Sequence, residues 1–291
     1  MILAAGLTPA WQQILTFDRL IPGEVNRAQS TLWCGSGKVL NVGAALNHLG
    51  APSLTLSPIG GATGQQIRDD FQRRGIPARW LPTATATRVC NTLLDLATGT
   101  TTELVENSAP LSEAELNQFI SAFAEEVRRA TCVVLSGSLP QQTSHGFYRQ
   151  LLEQSNATVI MDVRGRELLE CLPLRPFLVK PNREELAATV GRPLPTDATV
   201  IEAMAQVREF GAQWVIVSSG PEPLLVLGPN GLARIAPPQV HVVNPIGCGD
   251  SLTAAIAAKI DAGCEPLDAI RFGVEYSAKK AGSLYPVLTK G

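Results

Sequence analysis

No stretch of this sequence approaches the length of a membrane-crossing apolar run, and no block of lysine and arginine stands out. The first absence argues against a helical span. The second, with a formal net charge of −2, argues against nucleic acid as the main partner, while leaving room for a local site that binds a small anion. A CxxC pair is also missing. The six cysteines, at 34, 90, 132, 171, 248 and 264, are scattered, several within apolar segments, so buried free thiols are expected rather than disulfides or zinc. The three histidines, His48, His145 and His241, lack metal-ligand spacing and are read as structural. Met1–Leu7 carries no basic leader and too short an apolar run for a secretory signal, so it is expected to be a first buried strand and the compartment to be the cytoplasm.

What is present is a globular composition. Over 291 residues, 45% are hydrophobic and 17% charged, which suits one large α/β domain. Apolar residues at helical spacing over 39–50 follow a glycine turn, and a strand over 52–57 and a helix over 63–74 come next. From residue 111 the rhythm is regular. Helices over 111–129, 144–155, 183–190 and 198–210 are interleaved with strands over 132–135, 158–161, 177–179 and 214–217, before a two-strand stretch at 223–236. Such alternation predicts an α/β fold: a mostly parallel central sheet with helices on both faces, and ligands beyond the carboxyl ends of its strands. Two β-like stretches, about 10–32 and 78–106, break the rhythm. They are assigned to a small sheet lying as a lid over the site of a single domain spanning 1–291.

The densest chemistry lies in Asn244-Pro-Ile-Gly-Cys-Gly-Asp-Ser251, between a short apolar alternation and a small-residue helical run. Gly247, Cys248 and Gly249 would offer main-chain N–H groups at a helix start, where an anion is favoured. Asp250 on the same turn can cap the helix or take a proton from a hydroxyl. Four further turns open helices or follow strands. Gly35-Ser-Gly-Lys38 is not a P-loop, because Leu32 and Val39 stand where that pattern needs Gly and Ser/Thr. It is either an ordinary helix-opening turn or a place where Gly37, Lys38 and Asn41 meet a ligand. Ser136–Pro140 places Ser138 at a strand end. Lys180–Glu185 offers Asn182 and Glu185 either as a capping box or as oxygens for hydrated Mg²⁺. Val217–Gly220 presents Ser218 and Gly220. Arg88 is either a solvated strand residue or an anion clamp.

Taken in this order, the motifs resemble the ribokinase-like PfkB family of sugar kinases, and within it the phosphosugar branch that includes 1-phosphofructokinase and tagatose-6-phosphate kinase. The resemblance runs along nearly the whole chain. It is carried by Pro22–Arg27, Lys38–Asn41, Gly60–Gly64, Thr87-Arg88, Ser136–Pro140, Lys180–Glu185 and Gly247–Asp250, where the family's G-A-G-D reads Gly-Cys-Gly-Asp. The resemblance implies an ATP- and Mg²⁺-dependent kinase with Asp250 as base and the amides of Gly247, Cys248 and Gly249 as anion hole. It implies Lys180, Asn182, Ser218 and Gly220 for the nucleotide, and Asn182 with Glu185 for Mg²⁺ through water. For the sugar it implies Gln12, Gly37, Asn41, Arg88 and Ser138, with Arg27, Lys38 and Arg88 on its phosphate. Separately, an open small sheet with exposed edges leads to the expectation of a homodimer through the lid. Three departures stand out: Gln12 replaces the branch's Asp, Ser36 and Val39 replace two glycines, and Arg164 follows Asp162 where a Ser often sits. The competing readings are a kinase of an unphosphorylated sugar or nucleoside, and a sugar-phosphate-binding protein with little catalysis.

Overall fold

The computed structural model describes residues 1–288. Thirteen strands and nine α-helices lie among them, in an order that opens β1 (Ile2–Ala5), β2 (Ala10–Phe17), β3 (Ser30–Ser36), α1 (Lys38–His48), β4 (Ser53–Ile59), α2 (Gly61–Arg73), β5 (Ala78–Pro82), β6 (Val89–Asp95) and β7 (Thr100–Val105). The regular half follows: α3 (Glu113–Val127), β8 (Cys132–Ser136), α4 (Phe147–Leu152), β9 (Thr158–Asp162), α5 (Gly165–Cys171), β10 (Leu178–Val179), α6 (Arg183–Val190), α7 (Asp197–Glu209) and β11 (Trp214–Val217). The chain ends through β12 (Leu224–Gly228), β13 (Gly231–Ile235), α8 (Cys248–Asp261) and α9 (Pro266–Ala281).

Nine strands form the central sheet, in the order β13-β12-β11-β10-β9-β8-β1-β4-β5. Pairing is parallel from β11 to β5 and antiparallel at β11-β12-β13, the short hairpin that finishes one edge. The central strands β1, β8 and β10 are buried along their whole length. That is why they read as unbroken apolar runs: each has helices on both faces. Successive side chains feed two cores. Leu3, Val133, Val159 and Val215 point into the one closed by α3, α4 and α7, and Ile2, Val134, Ile160 and Ile216 into the one closed by α1, α8 and α9. The helices begin where local chemistry predicts. Ser112, Asn182 and Thr196 each accept from the N–H three residues on, in capping boxes that open α3, α6 and α7.

A separate four-stranded sheet, β3-β2-β6-β7, stands at the carboxyl side of the central strands. Its face packs Trp11 and Cys90 inward and stacks Trp11 on the half-exposed Trp33, with ring centroids 5.8 Å apart. The boundaries expected for this sheet need two corrections. β5, inside the stretch 78–106, pairs parallel with β4 as the edge strand of the central sheet. β3 runs on to Ser36, so Cys34 and Gly35 are strand rather than turn, and Gly35 donates to Asp70 of α2 at 3.0 Å. Periodicity alone could not separate these, because an edge strand and a lid strand share the same half-buried alternation.

Candidate functional site

Between the carboxyl ends of the central strands and the small sheet lies a cavity of about 1280 Å³. Asp250 sits at its floor, at the third position of α8, and is 6% exposed. Gly247 caps that helix at φ 82°, and a Cβ there would stand 2.0 Å from the Pro286 carbonyl, so glycine is required on two counts. Cys248 spends its N–H inside the turn, on the Pro245 carbonyl at 3.2 Å. The N–H groups of Gly247 and Gly249 have no acceptor among the described residues, so the anion-binding turn rests on them more than on Cys248.

Four side chains surround Asp250. Asn41, from α1, donates its amide to the Asp250 carboxylate at 2.7 Å and accepts from Ser36 at 3.1 Å. Ser36, read as a departure from a glycine pattern, therefore orients Asn41. Asp162, at the end of β9 and 1% exposed, ion-pairs with Lys38 at 2.8 Å and with Lys180 at 3.1 Å, and accepts from Thr253 of α8 at 3.1 Å. Lys38 reaches Glu185 as well, at 2.9 Å. Two ammonium groups thus face three carboxylates. Burial raises the proton affinity of Asp250, and the nearby charge of Asp162 adds to it, against the opposing pull of Lys38 and the Asn41 hydrogen bond. Asp162 goes the other way: Lys180 and Lys38 hold its carboxyl below the usual range despite the burial that opposes them. The environments of the two aspartates are pushed apart, a pattern typical of proton-transfer sites.

All but one of the residues expected to bind ligands meet at this cavity. Gln12, Gly37, Lys38, Asn41, Arg88, Ser138, Lys180, Asn182, Glu185, Ser218, Gly220 and the turn from Gly247 to Asp250 all line the cavity. Lys180 lies nearer the anion turn than a purely nucleotide role implies, since a Cβ on Gly249 would stand 3.3 Å from its Nζ. Asn182 and Glu185 close the capping box of α6: the Asn182 side-chain Oδ1 accepts from Glu185 N–H at 2.8 Å, and the Glu185 carboxylate accepts from Asn182 N–H at 2.9 Å. Among the described residues no group of three or more His, Cys, Asp and Glu side chains is placed to cage a metal ion.

The cations expected at a sugar phosphate differ in placement. Arg27 is exposed in the β2–β3 connection and does not line the cavity. Lys38 is committed to Asp162 and Glu185. Arg88 lines the cavity, but its three guanidinium nitrogens donate to the carbonyls of Pro9, Glu106 and Thr8, so it splices the lid to the strand ends. The cavity also contains residues that sequence patterning passed over. Asp162 carried a usable signal, an acid ending a buried parallel strand. Glu103 of β7, with its carboxyl pKa raised by desolvation, had none, and Arg164 was visible only as a departure from the family pattern.

Solved structures with the same architecture are numerous. Two of phosphofructokinase-2 from Escherichia coli, one the tetrameric inhibited form and one in complex with fructose-6-phosphate, align with TM-scores of 0.88 and 0.85. Both are 27% identical, over 96% and 97% of this chain and 93% and 94% of theirs. Ribokinase from Arabidopsis thaliana, solved with ribose and ATP, is 19% identical and aligns at a TM-score of 0.74 over 97% of this chain and 92% of its own, and so shares the fold. Residues 6–286 match the pfkB family of carbohydrate kinases. With a nine-stranded ribokinase-like sheet beneath a small β lid, this chain is an enzyme that belongs to the pfkB carbohydrate kinase family.

Proposed function

We propose that this chain transfers the γ-phosphoryl group of ATP to a hydroxyl of a phosphorylated ketohexose, fructose 1-phosphate or tagatose 6-phosphate first among candidates. The observation that carries the reading is the buried, proton-avid Asp250 beside free main-chain donors in a cavity large enough for both substrates. Asp250 takes the proton from the attacking hydroxyl; Asn41 holds its carboxylate in line. The Gly247 and Gly249 N–H groups, with Lys180, receive the charge that develops on the transferred group. Ser218 and Gly220 bound the nucleotide end, and Gln12, Gly37 and Ser138 the sugar end. The four-stranded sheet excludes water, which otherwise competes as phosphoryl acceptor.

Mg²⁺ fits this chain as a hydrated ion brought by the nucleotide. Glu185 has one oxygen on Lys38 and one on its own helix cap, leaving lone pairs for water but no open cage, and Asn182 is occupied in the same way. When bound, the ion neutralises charge on the nucleotide phosphates. Sugar-phosphate acceptance agrees with the 27%-identical phosphofructokinase-2. The engaged state of Lys38 and Arg88 and the distance of Arg27 favour one second reading, an unphosphorylated sugar as acceptor, with Arg164 the remaining cation of the cavity wall. The compartment proposed is the cytoplasm, in keeping with six free thiols among the described residues. A homodimer through the lid is proposed from its exposed Trp33, Leu104 and Val105.

The test is ATP consumption with Mg²⁺ on fructose 1-phosphate, tagatose 6-phosphate, fructose 6-phosphate, fructose and ribose. Turnover restricted to phosphosugars supports the first reading, and turnover restricted to free sugars the second. Phosphosugar binding without turnover on any member overturns the kinase reading.

A further inference from the structure

One buried charge lies outside the roles assigned so far. Lys280, in the last turn of α9, is fully buried and has no carboxylate at ion-pair distance among the described residues. Its ammonium instead donates to two main-chain carbonyls, that of Asn244 at 2.7 Å and that of Ile246. Burying a charge without a counter-ion is costly, so such a contact calls for a reason. Burial opposes its charged form, and the titratable groups whose charge acts on it are Cys248, Asp250 and Cys34.

The carbonyls belong to the turn that delivers the anion hole. Cys248 N–H donates to Pro245, and Gly247, with φ 82° and ψ 1°, has the dihedrals of the third residue of a type II turn. The middle peptide of that turn joins Ile246 to Gly247, and type I differs from type II by the flip of this one peptide. A trans peptide holds its C=O and N–H on opposite sides. With the Ile246 carbonyl drawn to Lys280, the Gly247 N–H must therefore point away from it. The rest of the α9 end binds the same segment: Ser277 donates to the Cys248 carbonyl at 2.8 Å, the Ala281 carbonyl accepts from Val243 and Asn244, and Asn244 donates its side chain to Leu284.

We propose that Lys280 is a positioning residue for phosphoryl transfer: a tethered cation that locks the Ile246–Gly247 peptide with its N–H towards the transferred group and places positive charge behind it. Two converging carbonyls around a buried monovalent charge also make the oxygen set that would suit a free cation, so the side chain renders an added one unnecessary. The inference rests on the kinase reading above and deepens it.

Steady-state kinetics in Na⁺, K⁺ and tetramethylammonium buffers test it first on the unmodified chain. Equal rates are expected; a rate that needs K⁺ overturns the proposal. Lys280→Met, close in length and neutral, is expected to lose about 10²-fold in kcat, the scale of one lost anion-hole donor, with both KM values nearly unchanged. Lys280→Ala is expected to recover activity with methylammonium or K⁺ but not with tetramethylammonium, which is too large for the vacated space. A loss that appears in KM and Tm alone, without cation rescue, assigns Lys280 to general packing and overturns the idea. If the unmodified chain turns over no sugar, the kinase reading fails. The clamp is then judged by whether methylammonium, and not tetramethylammonium, raises the Tm of Lys280→Ala; no selective rise overturns it.

Discussion

The side-chain amide of Asn41 donates to the carboxylate of Asp250 at 2.7 Å, joining α1 to α8 across 209 residues of sequence. The bond fixes the carboxylate that faces the cavity and, by favouring the charged form, limits how far burial can raise its proton affinity. Asp250→Asn keeps the size and the hydrogen-bonding capacity but cannot accept a proton. Its kcat should fall by about 10²–10⁴, the usual range for a lost general base. Nucleotide binding by calorimetry should stay within a few-fold of the unmodified chain. Retention of more than a tenth of kcat would move the base elsewhere.

The pH profile carries the sign of the electrostatics. Asp250 must be unprotonated to accept, so kcat/KM should fall on acidification, with a midpoint well above the ~3.9 of a free aspartate because burial and Asp162 raise it. Asn41→Ala removes a bond that favours the anion, so its midpoint should move higher still. Asp162→Asn removes a like charge and releases the pull of Lys38 and Lys180, so its midpoint should move lower. Opposite movements in the two variants are the readout; parallel ones would place another group on the acid limb.

Asp162→Asn has a second consequence, in stability. Its carboxylate is the common partner of Lys38 and of the buried Lys180. Removing one partner of a buried pair costs about 3–5 kcal/mol. For a chain of this size that is a fall of about 10 °C in Tm, measured by calorimetry. The unmodified chain should itself lose stability on acidification, and its advantage over Asp162→Asn should shrink there. The depressed pKa of Asp162 contributes stability that is present above the ordinary carboxylate range and lost as pH falls through the folded value.

The fold was readable where periodicity and length agreed. The helices at Arg183–Val190 and Asp197–Glu209 fall within a residue of the expected limits, because capping boxes mark their starts. The lid was less so: β5 and β7 both fall in the β-like stretch 78–106, and only the parallel pairing of β5 with β4 assigns it to the central sheet. Of the site, the turn at Gly247–Asp250 was visible because its chemistry is local. The partners of the cations were not legible, because they are long-range. Lys38 meets Asp162 and Glu185 from 124 and 147 residues away, and Lys280 meets Ile246 from the far end of α9. No local spacing encodes those distances.

Gly247→Ala tests the anion turn without touching a charge. A non-glycine residue at φ 82° costs about 1–2 kcal/mol, and the new Cβ would stand 2.0 Å from the Pro286 carbonyl, so the turn must shift. A displaced donor should lower kcat by about 10²–10³ and leave the KM for sugar little changed. An equal rise in both KM values with kcat intact would show that the turn binds substrates rather than the developing charge.

Gln12 is the position from which sugar choice should be adjustable. It is buried in β2, lines the cavity, and donates its amide to Thr92 of β6 at 2.7 Å; Thr92 in turn lies 3.4 Å from Glu103 of β7. The row crosses three lid strands, so a change at Gln12 is felt at the sugar end and not at Lys180 or Ser218. Gln12→Leu deletes an amide that can both donate and accept and removes the donor to the Thr92 hydroxyl, which keeps Glu103 as its acceptor. Loss of one such neutral contact, about 0.5–1.5 kcal/mol, corresponds to a fall in kcat/KM for the sugar of about 2- to 13-fold, with the KM for ATP within twofold. Gln12→Asp introduces a charge near the Glu103 carboxyl, whose pKa is already raised, and should raise the sugar KM most at high pH, where both carboxyls are ionised. Kinetics with each sugar of the panel at two pH values would decide it: an ATP KM that rises in step with the sugar KM would remove Gln12 from the sugar site.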